Sequence, residues 1–180
     1  MFSCKTSELL AQIERLERPR VPHRVLTCVP ACDRRYDAEG ASIATHDGKR
    51  RRADVSLPDG TRLLDHITRD SACCAAYSAC DAVAIDEAQF VAGLYDFCDR
   101  ALADGKTVIV AGLALDARNE LFGDVARLAL LAPTLIRKTA VCACSEDAYS
   151  SKHVGDGAFV GQVLVGAEGA YVATCRACYA

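Results

Sequence analysis

The chain of 180 residues is 51% hydrophobic and 25% charged, enough apolar content for one soluble globular domain with a small appended unit. A formal net charge of −3 argues against a binder of the nucleic-acid backbone, and the uncharged stretches 107–115 and 128–136 fall far short of the ~20 apolar residues that span a bilayer. Eleven cysteines, an odd count, with no secretory pattern in residues 1–10, point to reduced thiols and metal ligands in a cytosolic protein.

In chain order, residues 6–16 place Leu9, Leu10, Ile13 and Leu16 at helical spacing, and Pro19 and Pro22 stop the helix. Residues 25–29 form a β-prone run. Residues 37–60 read as irregular, with Gly40, Gly48 and Pro58 around Lys49-Arg50-Arg51-Arg52, a cluster expected at a solvated loop or hairpin tip. Residues 82–85 and 108–111 are short apolar runs suited to central strands buried on both faces. Between them, 88–103 reads as a helix with Phe90, Leu94, Phe97 and Leu102 inward and Asp104-Gly105-Lys106 as its exit. Residues 119–131 read as a helix, and Pro133 leads into a strand over 135–141. From Cys142 onward four cysteines flank a glycine-rich middle, which puts a subdomain boundary near Lys138. This alternation predicts an α/β domain with a mainly parallel sheet and helices on both faces.

Three constellations carry chemistry. Ser3-Cys4-Lys5-Thr6 sets Lys-Thr at the mouth of a helix, as in the second half of a phosphate-binding loop, although Lys-Thr at a helix start is common without that meaning. Asp86-Glu87 closes an apolar strand. There Asp can hold Mg²⁺ and Glu can accept a proton from an attacking hydroxyl, or both can simply favour the start of the next helix. Cys142-x-Cys144 with Cys175-x-x-Cys178 suits a closed, structural tetrahedral zinc site, though Cys-x-Cys is one residue short and would strain the turn or leave one ligand free. Cys28, Cys80 and Cys98 sit among apolar residues and read as small core side chains.

Together these residues resemble the zinc-containing, cytosolic-type thymidine kinases. Met1-Phe2-Ser3-Cys4-Lys5-Thr6-Ser7-Glu8-Leu9 resembles the family's M-F-S-G-K-[ST]-x-E-L, Asp33-Arg34-Arg35-Tyr36 its D-x-R-Y, and Thr45-His46-Asp47 its T-H-D. Ile85-Asp86-Glu87-Ala88-Gln89-Phe90 is similar to I-D-E-x-Q-F, the run from Lys106 to Leu113 to G-K-x-V-I-V-A-G-L, and Cys175-Arg176-Ala177-Cys178-Tyr179 to C-R-x-C-Y. The resemblance implies a P-loop kinase domain over 1–138, without the family's first strand, and a zinc ribbon with a substrate lasso over 139–180. It implies transfer of the γ phosphate of Mg·ATP to the 5′ hydroxyl of thymidine, with deoxyuridine as a second substrate.

By the same resemblance Glu87 is the general base. Met1, Phe2, Ser3, Cys4, Lys5, Thr6, Asp33, Arg35, Asp86 and Gln89 attend ATP, and Thr6 and Asp86 hold Mg²⁺. Phe90, Leu113, Ser150, Gln162, Val163, Leu164, Val165, Gly166 and Tyr171 attend thymidine, while Cys142, Cys144, Cys175 and Cys178 hold structural zinc. A homodimer or homotetramer is implied. The departures are Cys4 at a glycine position, where a left-handed backbone costs ~1–2 kcal/mol, Ala114 for Asp, Ala117 for the aromatic that packs on the base, and Lys152 for Arg. Met1 falls on an internal family methionine, so a start placed downstream of the family's is expected. The alternative is an impaired homologue that keeps the ribbon and the oligomer surface; a generic P-loop NTPase would not need the ribbon.

Overall fold

The computed structural model describes residues 3–32, 42–154 and 171–179. Helix α1, Lys5–Glu17, forms where the sequence predicts it, burying Leu9, Leu10 and Ile13 along one stripe. Strand β1, Val25–Pro30, is buried at all six positions because it has strands on both edges and packed layers on both faces. The stretch read as irregular contains three strands: β2, Ser42–Ala44, β3, Arg50–Arg52, and β4, Val55–Leu57. Their brevity hides the pattern, since within these strands Ile43, Val55 and Leu57 are the buried side chains. The arginine cluster is the outer strand of the β2–β3 hairpin, and Arg51 makes a bidentate ion pair with Glu17 of α1.

Helices α2, Leu63–Arg69, and α3, Ser71–Ala79, then lead to β5, Ala82–Ile85, which is buried throughout. The single helix expected over 88–103 is two pieces, a 3-10 turn at Ala88–Phe90 and α4, Leu94–Ala103. Gly93, at φ 64, breaks them apart and resets the helical phase, so that Leu94, Phe97, Cys98 and Ala101 face the core and Leu102, expected inward, is 60% exposed. The exit turn at Gly105 is as expected, with its N–H on the Leu102 carbonyl.

Strand β6, Thr107–Val110, lies at the edge of the four-stranded sheet and is only half-buried, not central as expected. The helix read over 119–131 shortens to α5, Val125–Leu131, because Asn119 and Gly123 adopt left-handed backbone ahead of it. The strand read over 135–141 contracts to β7, Ala140–Val141, which pairs with β8, Asp147–Ala148. Strand β9, Ser150–His153, pairs with β10, Tyr171–Thr174, and α6, Arg176–Tyr179, follows.

The main sheet runs β4-β1-β5-β6 with every pairing parallel. Alternation along the strands sorts the core into two layers. Val83 and Ile85 join Leu26, Cys28, Leu63, Ile67, Leu94 and Phe97 on one face, whereas Ala82 and Ala84 meet Leu9, Leu10, Ile13 and Ile43 on the other. Toward α1, β5 thus presents only the small side chains Ala82 and Ala84. Cys28, Cys80 and Cys98 are buried core residues, as the sequence suggests. Thr27, buried inside β1, donates its hydroxyl and its N–H to the Asp54 carboxylate at 2.6 and 2.8 Å, so its polar groups are satisfied where β4 enters the sheet.

After β1 the chain turns toward β4, whereas after β5 it turns toward β6, so the connections part between β1 and β5. In open parallel sheets the crevice beyond the strand carboxyl ends at such a switch point is where ligands bind. Residues just after Pro30 and just after Ile85 border it.

Candidate active site and cysteine centre

Asp86 and Glu87 stand at that crevice. Asp86 is buried, with its N–H on the Cys28 carbonyl of β1 and its Oδ1 accepting the Glu87 N–H at 3.0 Å. Glu87 itself has a left-handed backbone, φ 45 and ψ 41, which a non-glycine residue adopts only at a cost. That kink replaces the expected helix start and turns Glu87 out of the strand direction. Gln89, buried, donates Nε2–H to Glu87 Oε2 at 2.6 Å and accepts the Leu113 N–H on Oε1 at 2.9 Å. Gly112 leaves room for this amide, since a Cβ there would lie 2.9 Å from Gln89 Oε1. Phe90 packs edge-on against Phe122, ring centroids 5.3 Å apart.

At the head of α1, Cys4 has φ 54 and ψ 30, the left-handed conformation anticipated for the glycine position. Lys5 Nζ donates to Ser3 Oγ at 3.0 Å, and Thr6 is half-buried in the first turn. Met1, Phe2, Asp33, Arg35, Gln162, Val163, Leu164, Val165 and Gly166 lie outside the described residues.

The segment after Leu113 folds back on itself. Asp116, buried, accepts the N–H groups of Arg118 and Glu120 on Oδ1 at 2.8 and 2.9 Å, and Leu115 bridges Leu121. Ser150 Oγ donates to Asn119 Oδ1 at 2.8 Å and Tyr179 Oη to the Ala117 carbonyl at 2.6 Å, which holds this loop to the C-terminal strands and helix. Tyr171 stacks edge-on with His153, and burial followed by the nearby Asp116 charge pushes its phenol up. Sequence reasoning misses Asp116, Asn119 and Tyr179; only Tyr179 stands in a motif, C-R-x-C-Y, and the partners of all three are backbone groups or residues far along the chain.

The four cysteines converge. The sulfurs of Cys142, Cys144, Cys175 and Cys178 all lie within 4.8 Å of one another, with Cys144 and Cys175 3.6 Å apart. Tetrahedral zinc at a Zn–S distance of 2.3 Å requires sulfurs ~3.8 Å apart, so the thiols fit that ion. The short Cys-x-Cys does not leave a ligand out. The turn closes through Ser145 at φ 72, whose N–H bonds to the Cys142 carbonyl while the Cys142 N–H bonds to the Glu146 carbonyl. Backbone N–H groups of Cys144 and Cys175 directed at its sulfur bring the Cys142 thiol down to about 6, whereas hydrogen bonds among the thiols push Cys144 and Cys178 up, so Cys142 is the first of the set to become a thiolate.

A family model described as thymidine kinase matches residues 1–179. The chain belongs to the thymidine kinase family. It is 34% identical to the thymidine kinase of Fowlpox virus (strain NVSL) over 99% of this chain and 92% of that protein. The thymidine kinase of Vaccinia virus (strain Western Reserve) is 29% identical over the same shares. The cytosolic thymidine kinase of Gallus gallus is 32% identical over 99% of this chain and 73% of its own length. Against the thymidine kinase pattern, Ala114 and Ala117 lie in the loop that Asp116 and Tyr179 hold.

Proposed function

We propose that this member of the thymidine kinase family transfers the γ phosphate of ATP to the 5′ hydroxyl of thymidine, with Glu87 as general base. The observation that carries the reading is Asp86-Glu87 at the carboxyl end of β5, beside the β1/β5 switch point, in a chain matched throughout by the family model. Phosphoryl transfer asks the protein mainly to position groups and stabilise charge. Glu87 takes the proton of the attacking hydroxyl. Lys5, with the other residues of the 1–6 motif, meets the phosphates at the head of α1, where backbone N–H groups favour negative charge. Asp33 and Arg35 stand with the nucleotide on the family pattern.

A buried carboxylate and a hydroxyl are hard oxygen donors, so Asp86 and Thr6 suit magnesium, which when bound neutralises phosphate charge. Phe90, Leu113, Ser150, Tyr171 and the backbone of Gln162, Val163, Leu164, Val165 and Gly166 form the thymidine side. The four cysteines hold zinc in a structural role, because four thiolates leave no open coordination position. On this reading 1–138 is the kinase unit and 139–180 the ribbon and lasso. The protein is cytosolic and homo-oligomeric. The exposed apolar side chains Leu130, Leu131 and Leu135 support association, and no helix among the described residues is long and apolar enough to cross a membrane.

The test is transfer of labelled γ phosphate from Mg·ATP to thymidine by the chain and its Glu87→Gln variant. Turnover that the substitution reduces by about 10²-fold or more supports the reading; an equally active variant removes Glu87 from its role.

A further inference from the structure

The family pattern puts Gln89 with ATP, but its side chain is engaged elsewhere. A carboxylate only accepts hydrogen bonds and a backbone N–H only donates, so the Gln89 amide can be oriented in one way: nitrogen to Glu87, oxygen to Leu113. Each end meets a group at the crevice, one the base and the other the backbone just beyond β6. The amide is buried, and two glycines make room for the residue. A Cβ at Gly112 would sit 2.9 Å from its Oε1, and one at Gly123 2.8 Å from its carbonyl oxygen. Glu87, by contrast, rides on a left-handed kink with a half-exposed side chain whose rotamers need an external restraint.

We propose that Gln89 is a positioning residue for Glu87: it ties the carboxylate to the Leu113 backbone and fixes the direction in which the base meets the nucleoside hydroxyl. The inference rests on the kinase reading of Glu87. It also links base placement to the segment that begins the nucleoside side, since Leu113 leads directly into the loop held by Asp116.

The experiment compares wild type with Gln89→Met, Glu87→Gln and the double variant, all checked for folding by thermal melts. Gln89→Met is near-isosteric and removes both hydrogen bonds. It is expected to lower kcat by about 10- to 100-fold, with KM for Mg·ATP and for thymidine within about twofold of wild type. In the Glu87→Gln background the same substitution is expected to cost nothing further, because Gln89 acts only through the base. Gly112→Ala, which crowds the amide without removing it, should reproduce the kcat loss. A raised KM for Mg·ATP at unchanged kcat, or an undiminished loss in the Glu87→Gln background, would overturn the proposal in favour of a nucleotide contact. If Glu87→Gln is as active as wild type, the kinase reading of Glu87 fails instead, and the two failures are told apart by which variant is silent. Amide hydrogen exchange at Leu113 needs no turnover. Protection is expected in wild type and in Glu87→Gln and lost in Gln89→Met, and its survival in Gln89→Met would also overturn the proposal.

Discussion

The phenol of Tyr179 donates a 2.6 Å hydrogen bond to the carbonyl of Ala117, 62 residues earlier in the chain. Tyr179 follows directly on Cys178, one of the four clustered cysteines, and its own carbonyl accepts Lys152 Nζ at 3.0 Å. The cysteine centre and the loop at Ala117 are therefore mechanically joined. The expected consequence is that Tyr179→Phe keeps its zinc and its kcat but raises KM for thymidine several-fold, a neutral hydrogen bond being worth ~0.5–1.5 kcal/mol. Tryptic cleavage after Arg118 should quicken in parallel. Unchanged KM and unchanged cleavage would mean that the loop holds its shape without the tyrosine.

The cysteine geometry predicts that all four sulfurs bind. Metal analysis should find about one zinc per chain. Cys144→Ser should lose the metal to a mild chelator that wild type resists, and chelation of wild type should lower the melting temperature. Retention of zinc by Cys144→Ser with wild-type affinity would show a three-thiolate site and a spectator Cys144.

Cys4 occupies a left-handed backbone position, φ 54, with no side-chain cap for α1. Glycine adopts that conformation without the Cβ penalty. Cys4→Gly is therefore expected to stabilise the fold by about 1 kcal/mol, the relief of strain being partly offset by the freer unfolded chain. It should also lower KM for Mg·ATP, because backbone can approach phosphate more closely. Cys4→Ala retains the Cβ and should bring neither gain. Equal urea midpoints for Cys4→Gly and wild type would refute the strain.

Glu8 on α1 pairs with Lys138 at 2.7 Å, tying the helix to the segment that leads into β7. The Lys138 hydrogen bond, then that of Gln12, holds the Glu8 carboxyl below its ordinary 4.5. A carboxyl depressed in the folded state contributes stability that is complete above its unfolded value and is lost as pH falls through the folded one. Lys138→Met should therefore cost under ~1 kcal/mol near neutrality, as is usual for a partly exposed pair. The difference from wild type should shrink as pH falls below 4.5, and in about 1 M salt. A difference that stays constant across that acid range would assign the loss to packing of the lysine stem.

Much of the scaffold is local and therefore legible. The 3.6-residue spacing of Leu9, Ile13 and Leu16 defines α1, and the unbroken apolar runs of β1 and β5 mark strands covered on both faces. The Asp86-Glu87 pair and the four cysteines are equally readable, because each kind of chemistry needs those residue types at short spacing. Boundaries failed where backbone conformation, not side-chain periodicity, decides them. Gly93 splits the helix read over 88–103 and turns Leu102 outward, and the kinks at Asn119 and Gly123 shorten α5. Strands of three residues, such as β2 and β4, are too short for alternation to show and exist only because partners in the sheet satisfy their backbone.

The sequence by itself thus determined the family, the α/β order and the residue types that carry the chemistry, since these rest on interactions within a few residues of one another. Only the tertiary structure decided that Gln89 bridges Glu87 and Leu113, that a Cys-x-Cys turn with Ser145 in left-handed backbone still brings four sulfurs together, and that Tyr179 holds Ala117. Each of these joins groups whose meeting depends on how separate elements pack, and hydrogen bonds to backbone atoms leave no signature in side-chain identity.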